Sequence, residues 1–254
     1  MRRKEKVAII EGKNKFALRF FSEDETKPLM FCFPFIGGTS TAFRMLSQAI
    51  SHLVNIVSID PPGHGVVNGE LICDMDKLVE IYYQGILKYV DRDFYILGHS
   101  LGGIIGYLLA VKLEKAGIAP KGIFISASTS PNNISKEVES TGIFETKEGI
   151  RDGLIELGGK YEQLGKSNSI FFYSYMKVIK ADYSLLKSFK ETEELFLKCP
   201  SHIIFSHDDD MVEPGYMEDW KNYCKICELV KVTGNHNYIV NNSKEVGEVI
   251  ASRL

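Results

Sequence analysis

Short apolar runs separated by amphipathic stretches follow one another along most of the chain. The runs are rich in β-branched and aromatic residues and are nearly continuous, which is typical of parallel strands covered on both faces. We predict strands at Leu29–Phe33, Val54–Ile59, Phe94–Leu97, Gly122–Ser126, His202–Ser206 and Glu228–Val232. Two earlier runs, Val7–Ile10 and Phe16–Phe20, predict an antiparallel strand or two at the start of the chain.

Helical spacing of apolar residues occupies the intervals between these strands. It predicts helices at Thr41–Leu53 and Leu101–Lys115. A further helix is predicted around Leu78 to Val90, and either Asp74 or Asp76 could cap its start. This alternation of strands and helices predicts an α/β fold with a doubly wound, mainly parallel sheet.

The alternation breaks between about residues 131 and 198. There the spacing predicts helices near Thr146–Leu157 and from about Ser167 to Phe189, with a break at Gly158-Gly159. Such an interval is longer than an ordinary connection between a strand and a helix. We therefore predict one domain over residues 1–254, with residues 131–198 as a helical lid insertion. The lid should lie over the carboxyl-terminal edge of the sheet, where open α/β sheets bind ligands.

Composition and charge exclude several classes of protein. The 30 Lys and Arg residues nearly balance the 33 Asp and Glu residues, for a formal net charge of −3. Neither nucleic acid nor a membrane surface is therefore an expected partner. Phe94–Val111 lacks charged residues over the length of a membrane span, but its glycines, His99 and Ser100 interrupt it. We predict two buried elements that meet at a turn.

The cysteines do not suggest a disulfide framework. The five are spread thinly, and Cys224 and Cys227 form a C-x-x-C without a second pair or a redox context. We expect small apolar side chains in a reduced protein rather than a metal or redox centre. No secretory apolar region follows the basic N-terminus, so we expect a cytoplasmic protein, with a monomer as the default state.

The residues Gly98-His-Ser-Leu-Gly102 form a G-x-S-x-G motif between a predicted strand and a predicted helix. This setting holds a serine on a sharp turn at the sheet edge, where its hydroxyl can act as a nucleophile. The glycines allow the tight turn, and the positive end of the following helix helps to stabilise an oxyanion. The alternative is a glycine-rich helix start in a nucleotide-binding fold, but the P-loop lysine and the G-x-G-x-x-G spacing are absent. We predict that Ser100 is the nucleophile.

The general base of such a hydrolase follows the serine and the acid in the chain. Of the downstream histidines, His202 opens a predicted strand and His207 closes it, so core or strand-end roles suit them better. His236 lies in the loop directly after the last strand, at the same sheet edge as Ser100. We predict that His236 is the base.

The acid should come from the loop after the strand His202–Ser206, because catalytic side chains in this fold project from the carboxyl ends of strands. Three consecutive aspartates, Asp208, Asp209 and Asp210, occupy that loop and are all candidates. A calcium loop is not expected, because the spaced oxygen ligands and the distal Glu are absent.

Two backbone N–H groups should form the oxyanion hole. One belongs to Leu101, directly after the nucleophile. The other should come from the loop after Leu29–Phe33, where Ile36 is the preferred donor and Phe35 the alternative. The turn Asp60-Pro-Pro-Gly-His-Gly65 follows another strand and is predicted to shape the site rather than to react.

With these residues assembled, the chain resembles the α/β-hydrolases, and more narrowly the type II thioesterases that accompany polyketide and nonribosomal peptide synthetases. Phe33-Pro-Phe-Ile-Gly-Gly38 with Phe43-Arg44 is similar to the family's F-P-x-A-G-G…F-R. Gly98-His-Ser-Leu-Gly-Gly103 is similar to its G-H-S-M-G-G, and Gly234-Asn-His-Asn237 stands where the family has G-G-H-F. The resemblance covers roughly residues 16 to 250.

The most specific part of the resemblance lies in the insertion. Leu157-Gly-Gly159 and Ile179-Lys-Ala-Asp-Tyr183 resemble the family's lid pattern L-G-G…L-R-A-D-F, which general α/β-hydrolases do not share. The family's acid is the second Asp of G-D-x-D-x-x-V, which corresponds to Asp209 when counted back from Val212. The same comparison supports Ile36 as the oxyanion donor.

The chain departs from the family pattern at several positions. Ile36 replaces an alanine, Asn235 replaces the glycine before the histidine, and the proline before A-D is missing from the lid. The bulk of Ile36 makes the choice of acyl group the property most affected.

The resemblance implies a serine thioesterase that clears stalled or misprimed acyl groups from acyl or peptidyl carrier proteins. It would work through an acyl-serine intermediate, with no metal or other cofactor, and would bind the phosphopantetheine arm transiently beneath a gating lid. The alternatives are a general esterase, an acyl-CoA or medium-chain acyl-carrier thioesterase with the same triad, a catalytically silent scaffold, and an acyltransferase or cyclase.

Overall fold

The computed structural model describes residues 5–12, 14–140, 142–156, 159–192 and 196–254. The described residues form an eight-stranded sheet in the order β1-β2-β4-β3-β5-β6-β7-β8. The strands are β1 (Lys6–Ile10), β2 (Phe16–Phe20), β3 (Leu29–Phe33), β4 (Asn55–Asp60), β5 (Phe94–His99), β6 (Gly122–Ser126), β7 (Leu197–Ser206) and β8 (Cys224–Val232). The β1–β2 and β2–β4 pairs are antiparallel and the remaining pairs are parallel, which confirms the predicted sheet.

Helices cover both faces of this sheet. Within the described residues they are α1 (Arg44–Ile50), α2 (Met75–Ile86), α3 (Leu101–Lys115), α4 (Ile134–Ser140), α5 (Lys147–Glu156), α6 (Gly159–Lys166), α7 (Ile170–Ser188), α8 (Tyr238–Asn241) and α9 (Ser243–Ala251). Apolar residues of α2 and α3 pack on one face, and those of α1 and α9 pack on the other. The sheet is therefore the middle of three layers.

Alternate residues of a central strand reach the two different layers. In β3, Phe31 and Phe33 join the core on the side of α2 and α3, whereas Met30 and Cys32 join the core on the side of α1 and α9. Successive side chains of a strand point to opposite faces, so a strand covered on both sides must be apolar at every position. This requirement explains the continuous apolar runs of the sequence.

Two strands begin earlier than the sequence predicts, β8 at Cys224 rather than Glu228 and β7 at Leu197 rather than His202. β7 starts at Leu197, and its pairing with β8 is irregular between Leu197 and Pro200. Proline donates no hydrogen bond to a sheet and is unusual inside a strand, so Pro200 obscured this start. The prediction that His202 opens the strand was wrong, because His202 lies inside β7 with its ring stacked on that of Phe124.

The predicted insertion contains more helices than its periodicity predicts. α5 and α7 correspond to the two predicted helices, whereas α4 and α6 were not predicted. α4 is short and largely polar, which leaves little apolar periodicity to detect. Gly159, half of the predicted break, begins α6, and Leu157 and Gly158 lie outside the described residues. The domain limits and the role of residues 131–198 as a lid stay predictions.

The uncharged stretch Phe94–Val111 divides into β5 and α3, as predicted. Across the described ranges, no helix combines the length and the apolar character that a membrane span requires.

The start of α2 offers a test of local stability. Asp74 is its N-cap, and its side chain accepts a hydrogen bond of 2.8 Å from the backbone N–H of Lys77. We expect Asp74→Ala to lower the free energy of unfolding by about 1 kcal/mol, because that N–H loses its partner. Urea denaturation followed by circular dichroism measures this loss. Asp74→Asn, which still accepts the bond, should stay within about 0.5 kcal/mol of the wild type, and equal losses in both variants would contradict the cap.

Candidate active site

Ser100 lies on a sharp turn between β5 and α3. Its backbone has φ 56° and ψ −126°, which is unusual for a residue with a side chain. The turn is held by two hydrogen bonds, from Ser100 N to Ser126 O at 2.8 Å and from Gly103 N to Ser100 O at 2.7 Å. A Cβ atom on Gly98 would collide with the backbone of Gly102. The spacing of the G-x-S-x-G motif is therefore a steric requirement of the turn.

The structure brings Ser100, His236 and Asp209 together. The Ser100 hydroxyl lies 3.0 Å from His236 Nε2, and both carboxylate oxygens of Asp209 lie 3.0 Å from His236 Nδ1. Since a carboxylate accepts, Nδ1 carries the proton, and Nε2 is left to accept the serine hydroxyl proton. This is the geometry of an activated nucleophile with a base oriented by a third group.

The surroundings of Asp209 keep its carboxyl group ionised. Burial alone would raise its pKa, but the bond to His236 and the N–H of Met211, 3.0 Å from Oδ1, hold the pKa below its usual value. Of the other two candidate acids, Asp208 accepts a long bond of 3.4 Å from Gly234 N, and Asp210 is exposed at the edge of a cavity. Asp209 is therefore the candidate acid whose carboxylate meets His236.

His99 precedes the serine in the motif, but no role for its side chain was predicted. His99 is fully buried, and its Nε2 donates to the carbonyl oxygen of His236 at 2.8 Å. Its Nδ1 lies 2.9 Å from the hydroxyl of Ser126. Burial, with a smaller effect of His236, lowers the pKa of His99 to about 3, so the ring is neutral at pH 7. His99 thus fixes the backbone of the candidate base.

The predicted oxyanion loop lies beside the serine. Phe35 and Ile36 both line the same cavity as Ser100 and His236, and Leu101 is the buried first residue of α3. Gly38 N donates to Phe35 O at 2.7 Å and closes a turn, in which Gly37 has a φ of 69°. Both Ile36 and Phe35 reach the cavity, so the donor roles of Ile36 and Leu101 stay predictions.

The cavity at Ser100 has a volume of about 130 Å³ and a largely apolar wall. The helices between β6 and β7 contribute Ile150, Gly153, Leu154, Tyr175 and Ile179 to it. Asn235 and Asn237, the neighbours of the histidine, and Asp210 also line it. An apolar chain with a polar carbonyl at one end would match this distribution.

Two further residues join the oxyanion loop to its surroundings. His64, in the turn predicted to shape the site, lies 3.0 Å from a carboxylate oxygen of Asp182 in α7. The same oxygen accepts the N–H of Gly37 at 2.7 Å. Asp182 was visible in the sequence only as part of the lid motif, with no role attached to it.

No cluster of three or more His, Cys, Asp or Glu side chains in the described part of the chain could hold a metal ion. The C-x-x-C cysteines lie in β8, where Cys224 is buried and Cys227 is half-buried, and both are free.

Known proteins are similar to this chain in sequence and in fold. The family model of the thioesterase domain matches residues 28–254. The gramicidin S biosynthesis protein GrsT of Aneurinibacillus migulanus is 23% identical over 251 residues, which are 98% of this chain and 97% of GrsT.

Two solved structures superpose on most of the chain. The type II thioesterase BorB from the borrelidin biosynthetic cluster gives a TM-score of 0.78 at 21% identity and covers 92% of this chain and 96% of its own. The RedJ thioesterase from the prodiginine pathway of Streptomyces coelicolor gives a TM-score of 0.78 at 22% identity. The superposition covers 91% of this chain and 88% of the RedJ chain. These likenesses confirm the predicted α/β-hydrolase fold. Since the family model spans most of the sequence, the chain belongs to the thioesterase-domain family of hydrolases.

Proposed function

We propose that this chain is an editing serine thioesterase that hydrolyses acyl groups from the phosphopantetheine thiol of acyl or peptidyl carrier proteins. The observation that carries the proposal is the hydrogen-bonded chain Ser100–His236–Asp209 at the mouth of an apolar cavity, in a member of the thioesterase family. The similarity to proteins from peptide and polyketide pathways supports a carrier-bound substrate.

The first step forms an acyl-enzyme. His236 Nε2 takes the proton of the Ser100 hydroxyl as the oxygen attacks the thioester carbonyl, and Asp209 stabilises the imidazolium that results. The N–H groups of Ile36 and Leu101 bind the oxyanion of the tetrahedral intermediate. The carbon–sulfur bond then breaks, and His236 returns the proton to the leaving thiol.

The second step releases the acid. Water attacks the acyl-serine while His236 accepts its proton, and the same two N–H groups bind the second oxyanion. The collapse of this intermediate restores the Ser100 hydroxyl and frees the carboxylic acid. These steps need neither a metal ion nor a redox cofactor.

The apolar wall of the cavity suits the acyl group, and the helices of residues 131–198 act as a lid over it. Because α5 and α7 supply five of the residues that line the cavity, the lid helps to determine which acyl groups fit. The carrier protein binds transiently and presents its pantetheine arm at Ser100. The five free cysteines fit a reducing cytoplasm. A monomer contains every residue of the proposed mechanism.

The substrate class can be tested by intact-protein mass spectrometry. Acetyl- and longer acyl-phosphopantetheinyl carrier proteins should lose the acyl mass with the wild-type chain, with free acid as the product, and keep it with Ser100→Ala. Matched acyl-CoA and p-nitrophenyl esters serve as controls and should react more slowly. Fast turnover of these controls beside an untouched carrier protein would leave a general esterase or acyl-CoA thioesterase, and transfer to another acceptor would indicate an acyltransferase.

The choice of acid can be tested with a fluorophosphonate, which reacts with an activated serine. Asp209→Asn should slow the labelling of Ser100 by about 10³- to 10⁴-fold, because an amide does not hold His236 in the productive tautomer. Asp208→Asn is the matched control and should label within about twofold of the wild-type rate, since its carboxylate only meets Gly234 N. The reverse order of the two rates would assign the acid to Asp208.

The cavity wall can be tested at Gly153 of α5. Gly153→Leu places a side chain in the cavity, so we expect kcat/KM for octanoyl substrates to fall by about tenfold or more while acetyl substrates react nearly as before. Gly149→Leu changes the same helix at a position that does not line the cavity, and its preference should match the wild type. An unchanged chain-length preference in Gly153→Leu would place the acyl group elsewhere.

A further inference from the structure

Two side chains of helix α7 bind the backbone N–H and the backbone carbonyl of Gly37, in the predicted oxyanion loop. Asp182 Oδ2 accepts the N–H of Gly37 at 2.7 Å, and the Tyr175 hydroxyl donates to the carbonyl oxygen of Gly37 at 2.9 Å. Tyr175 and Asp182 are seven residues apart in α7, so their side chains lie on one face, two turns apart. Gly37 is thus held from one side by α7.

The position between the loop and α7 favours glycine. Gly37 has a φ of 69°, and a Cβ atom there would lie 2.5 Å from the Tyr175 hydroxyl. Gly37 follows Ile36 inside the turn that Phe35 O and Gly38 N close. The Gly37 carbonyl shares a rigid peptide plane with the Gly38 N–H, and the Ile36 N–H shares one with the Phe35 carbonyl. Because Gly38 N donates to Phe35 O at 2.7 Å, holding the Gly37 carbonyl also restrains the direction of the Ile36 N–H.

The carboxylate that holds the loop is buried and has a cationic partner. Asp182 and His64 are both buried, with His64 Nε2 at 3.0 Å from Asp182 Oδ2 and His64 Nδ1 at 2.9 Å from Pro62 O. A carbonyl and a carboxylate oxygen only accept, so both ring nitrogens carry protons when these bonds are made. His64 is therefore the counter-charge of Asp182.

Several groups face His64. Asp182 reaches it from α7, Asp60 from its own turn, and the phenol of Tyr82 in α2 lies near Asp182, while Arg19 of β2 pairs with Asp60. Burial lowers the pKa of His64, but the charge and the hydrogen bond of Asp182 raise it by more than burial lowers it. The pKa therefore lies above its usual value. The doubly protonated ring is present below that pKa and is lost as the pH rises through it.

We propose that Asp182 and Tyr175 are positioning residues, which set the oxyanion loop of the thioesterase from α7, and that His64 holds Asp182 in place for this purpose. The proposal rests on the proposed function for its chemistry. Its consequence is that the helix that lines the acyl cavity through Tyr175 and Ile179 also orients a donor of the oxyanion hole. Displacement of α7 would therefore weaken transition-state stabilisation without removing any catalytic residue.

A pair of tyrosine variants in α7 separates positioning from stability. Tyr175→Phe removes the hydroxyl that holds Gly37 O, and Tyr183→Phe removes one that donates to Val138 O, away from the cavity. With p-nitrophenyl butyrate we expect Tyr175→Phe to lower kcat by about tenfold with KM changed less than about twofold, since only the transition state loses stabilisation. Tyr183→Phe should keep kcat within about twofold while losing similar thermal stability.

A second variant and a pH profile test the charged pair. Asp182→Asn should lower kcat by about 100-fold, a loss similar to that of one oxyanion donor. In the wild type, kcat should fall on the alkaline side as His64 loses its proton. The amide of His64→Gln can donate a hydrogen bond to Asp182 at any pH. This variant should therefore lack the alkaline fall in kcat and retain part of the wild-type rate.

The outcomes distinguish the two proposals. Unchanged kcat in Tyr175→Phe and Asp182→Asn, or changes in KM alone, would overturn the positioning role while leaving the thioesterase intact. If carrier proteins are not hydrolysed but ester hydrolysis and fluorophosphonate labelling follow the expected order of variants, the carrier substrate fails and the positioning role stands. A wild-type chain inert to carrier protein, ester and fluorophosphonate would overturn both.

Discussion

The backbone conformation of Ser100 is the constraint on which the site depends. A residue with a side chain at φ 56° is strained by about 1–3 kcal/mol and persists only where the surrounding structure determines it. Here β5 and α3 are both embedded in the core, and the hydrogen bond from Ser100 N to Ser126 O joins the turn to the adjacent strand. Glycines at positions 98 and 102 let the backbone of the turn approach itself and Phe33. The hydroxyl is consequently presented at the edge of the sheet, in front of the positive end of α3.

The rest of the catalytic geometry follows from the parallel order of the sheet. Strands β3, β5, β6, β7 and β8 follow one another in the sheet and are parallel, so the loops at their carboxyl ends lie at one edge. The loops after β3, β5, β7 and β8 carry Ile36, Ser100, Asp209 and His236 in turn. Beneath them, His99 donates to the backbone of His236, and Tyr238 donates to Ile204 O in β7. The position of the candidate base is therefore coupled to the buried part of the sheet.

The helices between β6 and β7 add what the sheet alone lacks. They contribute a small apolar core of their own, built from Ile150, Leu154, Phe172 and Ile179, and three of these residues also face the cavity. Through Tyr175 and Asp182 the longest of these helices also contacts the oxyanion loop. In the proposed mechanism, substrate binding and transition-state stabilisation would thus depend on the same helix.

The sequence by itself determined the order of the strands along the chain, the nucleophile motif, and the loop that carries His236, because these depend on local periodicity and on steric needs within a few residues. It did not separate Asp208, Asp209 and Asp210 without the family resemblance, because all three are carboxylates and only the path of the loop decides which one meets the imidazole. The contacts of His99 and of the His64–Asp182 pair could not be predicted from the sequence. His99 and His236 are 137 residues apart, and His64 and Asp182 are 118 residues apart, and side-chain contacts over such separations leave no periodic signal. Those contacts, and the cavity between sheet and helices, were decided by tertiary packing alone, which brings distant residues into an interior where an unpaired polar group is costly.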